Sequence, residues 1–183
     1  LDRLLALNEL KVRLANDDYI NHSLAVEAIM RELAAMFQED IEKWGLVGLL
    51  HDIDYGLTVN DISKRGILGA EILEYLGVDQ SIIYSIKARN DYHGIERKRK
   101  MDKCLYAADP LSSLITASAL ILPSRKMACV TVEFVMNRYN DKGFAKEVDR
   151  EKIETCSKVG LSLEQFIGIG ISAMQKIADD LGL

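Results

Sequence analysis

Proline is scarce in this 183-residue sequence, with Pro110 and Pro123 alone, so long helical segments can run without a forced break. Cysteine is scarce too. Cys104, Cys129 and Cys156 are an odd number, lie far apart and form no CxxC pair, which argues against a disulfide framework or a zinc–thiolate site and fits small buried thiols in a reducing compartment. No apolar run approaches the roughly 20 residues needed to cross a bilayer. No basic start followed by an apolar stretch and a small-residue cleavage site marks a signal peptide. These absences set the expectation of a cytoplasmic protein with no membrane partner. Positive charge is in deficit, 23 Lys and Arg against 28 Asp and Glu for a formal net charge of -5, which argues against a nucleic-acid partner. Strict apolar–polar alternation over a strand's length is nearly absent; CVTVEF, Cys129 to Phe134, is the best case and is short.

What is present is helical periodicity, and the fold class expected is all-α. LDRLLALNELKVRL is amphipathic and ends at NDD. HSLAVEAIMRELAAMF places Leu24, Ala28, Leu33 and Met36 near one face, and a further helix runs from about Asp40 to Leu50. A polar loop from Gly56 to about Ser63 precedes GILGAEILEYLG, for which Gly77 is the expected C-cap, and Asp79 is placed to cap DQSIIYSIKARN. In MDKCLYAADPLSSLITASALIL, Pro110 is expected to kink the helix or to sit in a first turn. DREKIETCSKVG should open on Asp149 and close at Gly160, and Ser162 with Gln165 reads as a capping box. No linker, repeat or low-complexity tract interrupts the chain.

Chemistry-bearing residues are few, and three places stand out. His22 opens an apolar helix, His51-Asp52 ends another, and Asp109 interrupts the apolar run YAADPLSSL. A carboxylate buried without a partner costs several kcal/mol, so Asp109 should be paired, metal-bound or protonated. Singly, each residue also fits a structural role: a packed histidine, a polar helix end, an Asp before Pro110 capping a turn. Together, imidazole nitrogens and carboxylate oxygens suit Mn, Fe, Co, Ni, Zn or Mg. Adjacent His51 and Asp52 do not share a helix face, so only the tertiary fold can assemble such a site. From the residues alone both readings stay open.

The order His22, His51-Asp52, Asp109 resembles the motif of the HD-domain superfamily of metal-dependent phosphohydrolases. NHSLAVEAIM, WGLVGLLHDIDY, GAEIL, RNDYHG, LYAADPLSSLITASALILPSRK and KGFAKEVDRE, in this order, are similar to a bacterial subfamily of predicted HD hydrolases. The resemblance runs over about residues 20–165. It implies a helical HD core over about residues 20–125 with a C-terminal helical extension over about 126–183, forming one domain. It also implies one divalent metal ion held by His22, His51, Asp52 and Asp109. The implied activity is hydrolysis of a small nucleotide-like phosphate ester through a metal-activated water that Asp52 helps to orient.

Two positions depart from the family pattern. Many HD proteins carry two further histidines for a second metal, in HGxxGAEIL and before an Asn. Here the text reads RGILGAEIL and ARND, with Arg65 and Arg89 in those places. A guanidinium offers no lone pair to a metal but suits a phosphate, so Arg65 and Arg89 are expected to hold phosphate oxygens in place of a second cation. The rival expectation is a catalytically degenerate HD protein that binds a nucleotide or phosphate as a sensor. Smaller candidates are His93, one turn after Arg89, as a replacement ligand; Glu27 as a base near the site; and Asp54 as support for a ligand. ERKRK reads as a solvated loop, FIGIGIS as close helix packing, and Cys104 as no nucleophile.

Overall fold

A computed structural model describes residues 1–183, and every regular element in it is a helix. Eleven α-helices follow in order: α1 Arg3–Arg13, α2 Asp17–Phe37, α3 Ile41–Leu50, α4 Tyr55–Thr58, α5 Ile67–Tyr75, α6 Gln80–Arg89, α7 Lys100–Leu120, α8 Val132–Asn140, α9 Arg150–Glu154, α10 Leu163–Gln175 and α11 Ala178–Leu181. No helix is long and apolar enough to cross a membrane.

Local chemistry sets most of the boundaries. The side chains of Asn16, Asp40, Asp79 and Asp149 each accept a backbone N–H in the first turn of α2, α3, α6 and α9. Ser162 and Gln165 form the expected reciprocal capping box on α10. Gly77 and Gly160 take left-handed backbone angles, φ 68° and 84°, just past helical segments.

Three details differ from the sequence reading, and a fourth, the absence of a strand at CVTVEF, agrees with it. CVTVEF is not extended: Thr131 Oγ1 accepts the Phe134 N–H at 3.2 Å and starts α8. Pro110 does not sit in a first turn; it lies inside α7, which continues from Lys100 to Leu120 around the N–H that proline lacks. The core face of α2 is Val26, Ile29, Met30 and Leu33, all fully buried, whereas Met36 is 43% exposed. DREKIETCSKVG is helical only over Arg150–Glu154 and tightens into a 3-10 segment, Thr155–Val159, before Gly160.

The core lies where α2, α3 and α7 meet, with α6 and α10 packed around them. Gly48 decides how closely α3 crosses α2. A Cβ there would sit 2.7 Å from Glu27 Cα and 2.8 Å from Val26 O, contacts no side chain can make. The close crossing brings the C-terminal end of α3 to the N-terminal half of α2. Gly48→Ala should force the helices apart and lower stability by about 1–3 kcal/mol, the usual cost of overpacking. Equilibrium urea unfolding of the variant checks this; an unchanged midpoint would mean that the crossing is not tight.

Glu27 does not face the expected site. It is buried at this crossing, and its carboxylate accepts from Arg3 Nε at 2.6 Å and Arg31 Nε at 2.9 Å. Cys104 and Cys156 are buried and Cys129 is exposed. Burial pushes the Cys104 thiol up to about 12. A thiol-reactive dye at pH 8 should therefore titrate one thiol rapidly in the native protein and three after unfolding. Two fast native thiols would contradict the packing around Cys104 and Cys156.

Candidate metal centre

Three helices bring the four candidate residues to one point. His22 lies in the second turn of α2, His51-Asp52 follow the last residue of α3, and Asp109 sits in the middle of α7. The chain turns sharply after Leu50, so His51 and Asp52 can point the same way although they are adjacent in sequence. One ligand atom each from His22, His51 and Asp52 lies within 4.8 Å of the others. His22 Nε2 is 3.2 Å from His51 Nε2 and 3.1 Å from Asp109 Oδ1. His51 Nε2 is 3.5 Å from Asp52 Oδ2 and 3.8 Å from Asp109 Oδ1.

The outward nitrogens of the two rings fix their tautomers. His51 Nδ1 lies 2.7 Å from Gly48 O, an obligatory acceptor, so this nitrogen carries the proton. Ser112 Oγ donates to Asp109 O at 2.8 Å, which leaves its oxygen to accept from His22 Nδ1 at 3.2 Å. In neutral imidazoles both Nε2 atoms are then bare. Two lone pairs facing each other beside carboxylate oxygens repel unless a positive charge lies between them. The donor set therefore fits a cation of the kind bound by imidazole and carboxylate.

The electrostatics carry the same signature. Burial opposes charge on His22, but a proton on its Nε2 would bond to Asp109, and this with the charge of that carboxylate raises its pKa above the ordinary value. Burial lowers the pKa of His51, which is fully enclosed. Burial would raise both carboxylates, yet the Arg89 guanidinium outweighs it, holding Asp52 below its usual range and Asp109 well below.

Arg89 departs from its expected role. One terminal nitrogen donates to Asp109 Oδ2 and the other to Asp52 Oδ1, with a longer contact of 3.3 Å to His51 O. Its fork grips the two carboxylates from behind, and both terminal nitrogens are committed to them. Arg65, by contrast, lies at the wall of the adjoining cavity. Its guanidinium rests 4.5 Å over the Tyr55 ring and donates to Thr58 O at 3.2 Å, with no carboxylate partner.

The smaller candidates fall outside the centre. His93 Nε2 lies 2.8 Å from Arg65 O, so the ring is engaged by the backbone of the loop before α5. Asn90 joins it, donating to Ile62 O at 2.7 Å and Arg65 O at 2.9 Å. Asp54 is a structural support: its Oδ2 accepts the backbone N–H groups of Gly66 and Gly69, at 2.6 and 2.8 Å, and caps α5 from the side. Burial raises its pKa despite those bonds.

A family model for the HD domain matches residues 19–114, and this span contains all four clustered residues. The chain belongs to the HD-domain family. The HD domain points to a superfamily of metal-dependent phosphohydrolases, and His51-Asp52 lies within the matched span. Among similar proteins, ribonuclease Y of Nitratidesulfovibrio vulgaris is 31% identical over 91 residues, 49% of this chain and 18% of that one. Ribonuclease Y of Thermosipho melanesiensis is 33% identical over 109 residues, 58% of this chain and 21% of that one. An uncharacterised protein of Methanocaldococcus jannaschii is 34% identical over 111 residues, 58% of this chain and 63% of that protein. The HD chain thus spans about a fifth of the length of the ribonuclease Y relatives it matches. No solved structure matches it.

Proposed function

We propose that this HD domain hydrolyses a phosphate ester in a small nucleotide-like molecule, with one divalent cation held by His22, His51, Asp52 and Asp109. The observation that carries the reading is the pair of bare imidazole nitrogens 3.2 Å apart with Asp109 Oδ1 at 3.1 Å, an array of lone pairs that calls for a cation. A cation bound there supplies Lewis acidity, lowering the pKa of a water from about 15.7 toward about 7 and offsetting charge on phosphoryl oxygens.

The chain's own residues supply the rest. Gly48 O and Ser112 Oγ hold the two rings in the tautomer that leaves Nε2 bare. Arg89 keeps Asp52 and Asp109 ionised and fixed without competing for substrate. Asp52 Oδ2, 3.5 Å from His51 Nε2, is the carboxylate oxygen that would both hold the cation and orient an attacking water. Arg65, free of any carboxylate, holds a phosphate oxygen at the cavity wall.

The test is a phosphate-release screen over mono- and diester substrates. The protein is first stripped with chelator and then reloaded separately with Mn, Co, Ni, Zn or Mg. Turnover that disappears on stripping and returns with one of these ions supports the reading. Metal retained without turnover on any ester would point instead to a ligand-binding module.

A further inference from the structure

Resting on the phosphate-ester reading, we propose that the cavity beside the metal centre selects ligands carrying a single phosphate group, a nucleoside monophosphate over a di- or triphosphate, because Arg65 is its one uncommitted cation and unpaired carboxylates stand at its rim.

The cavity is about 700 Å³, ample for a nucleoside with one phosphate. Its floor is one face of α7: half-buried Ser113 and Thr116 follow Asp109 along the helix and carry the surface about 10 Å away from the metal centre. An organic group can lie there while its phosphate reaches the histidines.

Three permanently cationic side chains line this space, Arg65, Arg89 and Lys152. Arg89 is engaged by Asp52 and Asp109. Lys152 Nζ lies 3.1 Å from Asp91 Oδ2 and 4.9 Å from the Tyr106 ring centre. Arg65 alone has no carboxylate partner. Against it, Asp18, Glu147 and Asp149 line the same cavity, are exposed to solvent and have no cationic partner; Asp149 accepts only the Lys152 backbone N–H. One phosphate brings about two negative charges, which a divalent cation and Arg65 can offset. Each further phosphate adds charge that meets no remaining cation and approaches these carboxylates, so discrimination arises from repulsion as well as attraction.

Calorimetric titration of metal-loaded protein, cleared of free metal, with adenosine mono-, di- and triphosphate reads this directly. The monophosphate should bind at least about tenfold tighter than the triphosphate at low salt, and the gap should shrink in 1 M salt. In an Asp18→Asn/Glu147→Gln double variant the gap should narrow at least about threefold, and Arg65→Gln should weaken monophosphate binding about tenfold with metal content unchanged. Triphosphate binding as tight as monophosphate, a gap that survives the double variant, or no binding of any of the three at millimolar concentration would each overturn the inference. Selective monophosphate binding without phosphate release under any metal would leave the inference standing and sink the hydrolytic reading instead.

Discussion

His51→Ala should abolish tight metal binding and lower metal-dependent phosphate release by at least about 1,000-fold, with the fold retained. Loss of even an outer partner of a metal ligand typically costs about 10–100-fold in affinity, and His51 offers its bare Nε2 to the centre itself. The side chain is fully buried, so the alanine also leaves a small cavity and removes a hydrogen bond to Gly48 O. A His51→Gln variant, which fills more of the space, guards against reading a folding defect as a metal defect. Elemental analysis, circular dichroism and the phosphate assay on both variants make the check. A variant that keeps its metal would show that His51 is a packed histidine and that the other residues suffice.

Arg89→Met should behave quite differently from the loss of a substrate-binding arginine. Its guanidinium is paired with two enclosed carboxylates, and removing it leaves both without their counter-charge. Breaking a buried ion pair from one side costs about 3–5 kcal/mol, which lowers the melting temperature of a chain this size by roughly 10 °C. The comparison belongs at pH 7 on metal-free protein, where the depressed carboxylate pKa values leave the pairing fully expressed. Adding metal should restore part of the loss, since the cation substitutes for the missing charge. Arg89→Lys, which keeps the charge but not the fork, should fall between. Unchanged melting together with a raised KM would mean that Arg89 reaches out to substrate, against the observed geometry.

Much of the centre was legible in the sequence because its chemistry interrupts apolar helices. His22, His51, Asp52 and Asp109 each break a hydrophobic pattern, and the fold gathers them because α2, α3 and α7 share one core. What the sequence could not show is direction. Arg89 at the end of α6 looks the same as a solvated arginine until the helix is packed, and its place in the family pattern suggested a phosphate contact. The signal that pointed inward was Asp109, a carboxylate in an apolar run that needed a partner. Glu27 could have been placed by arithmetic: five residues after His22 on a helix is a turn of about 140°, which sends it to the other side of α2. CVTVEF shows alternation because a capping threonine lies between apolar residues, and its short span left the all-α reading intact.

The central claim is that His22, His51, Asp52 and Asp109 form one metal site and that Arg89 closes off a second. The most direct measurement is the metal content of the wild-type protein, purified without chelator, saturated in turn with Mn, Ni and Zn, and cleared of free ions before elemental analysis. One equivalent per chain is the predicted result. Two equivalents would contradict the role given to Arg89, and none with any of these metals would contradict the metal centre itself.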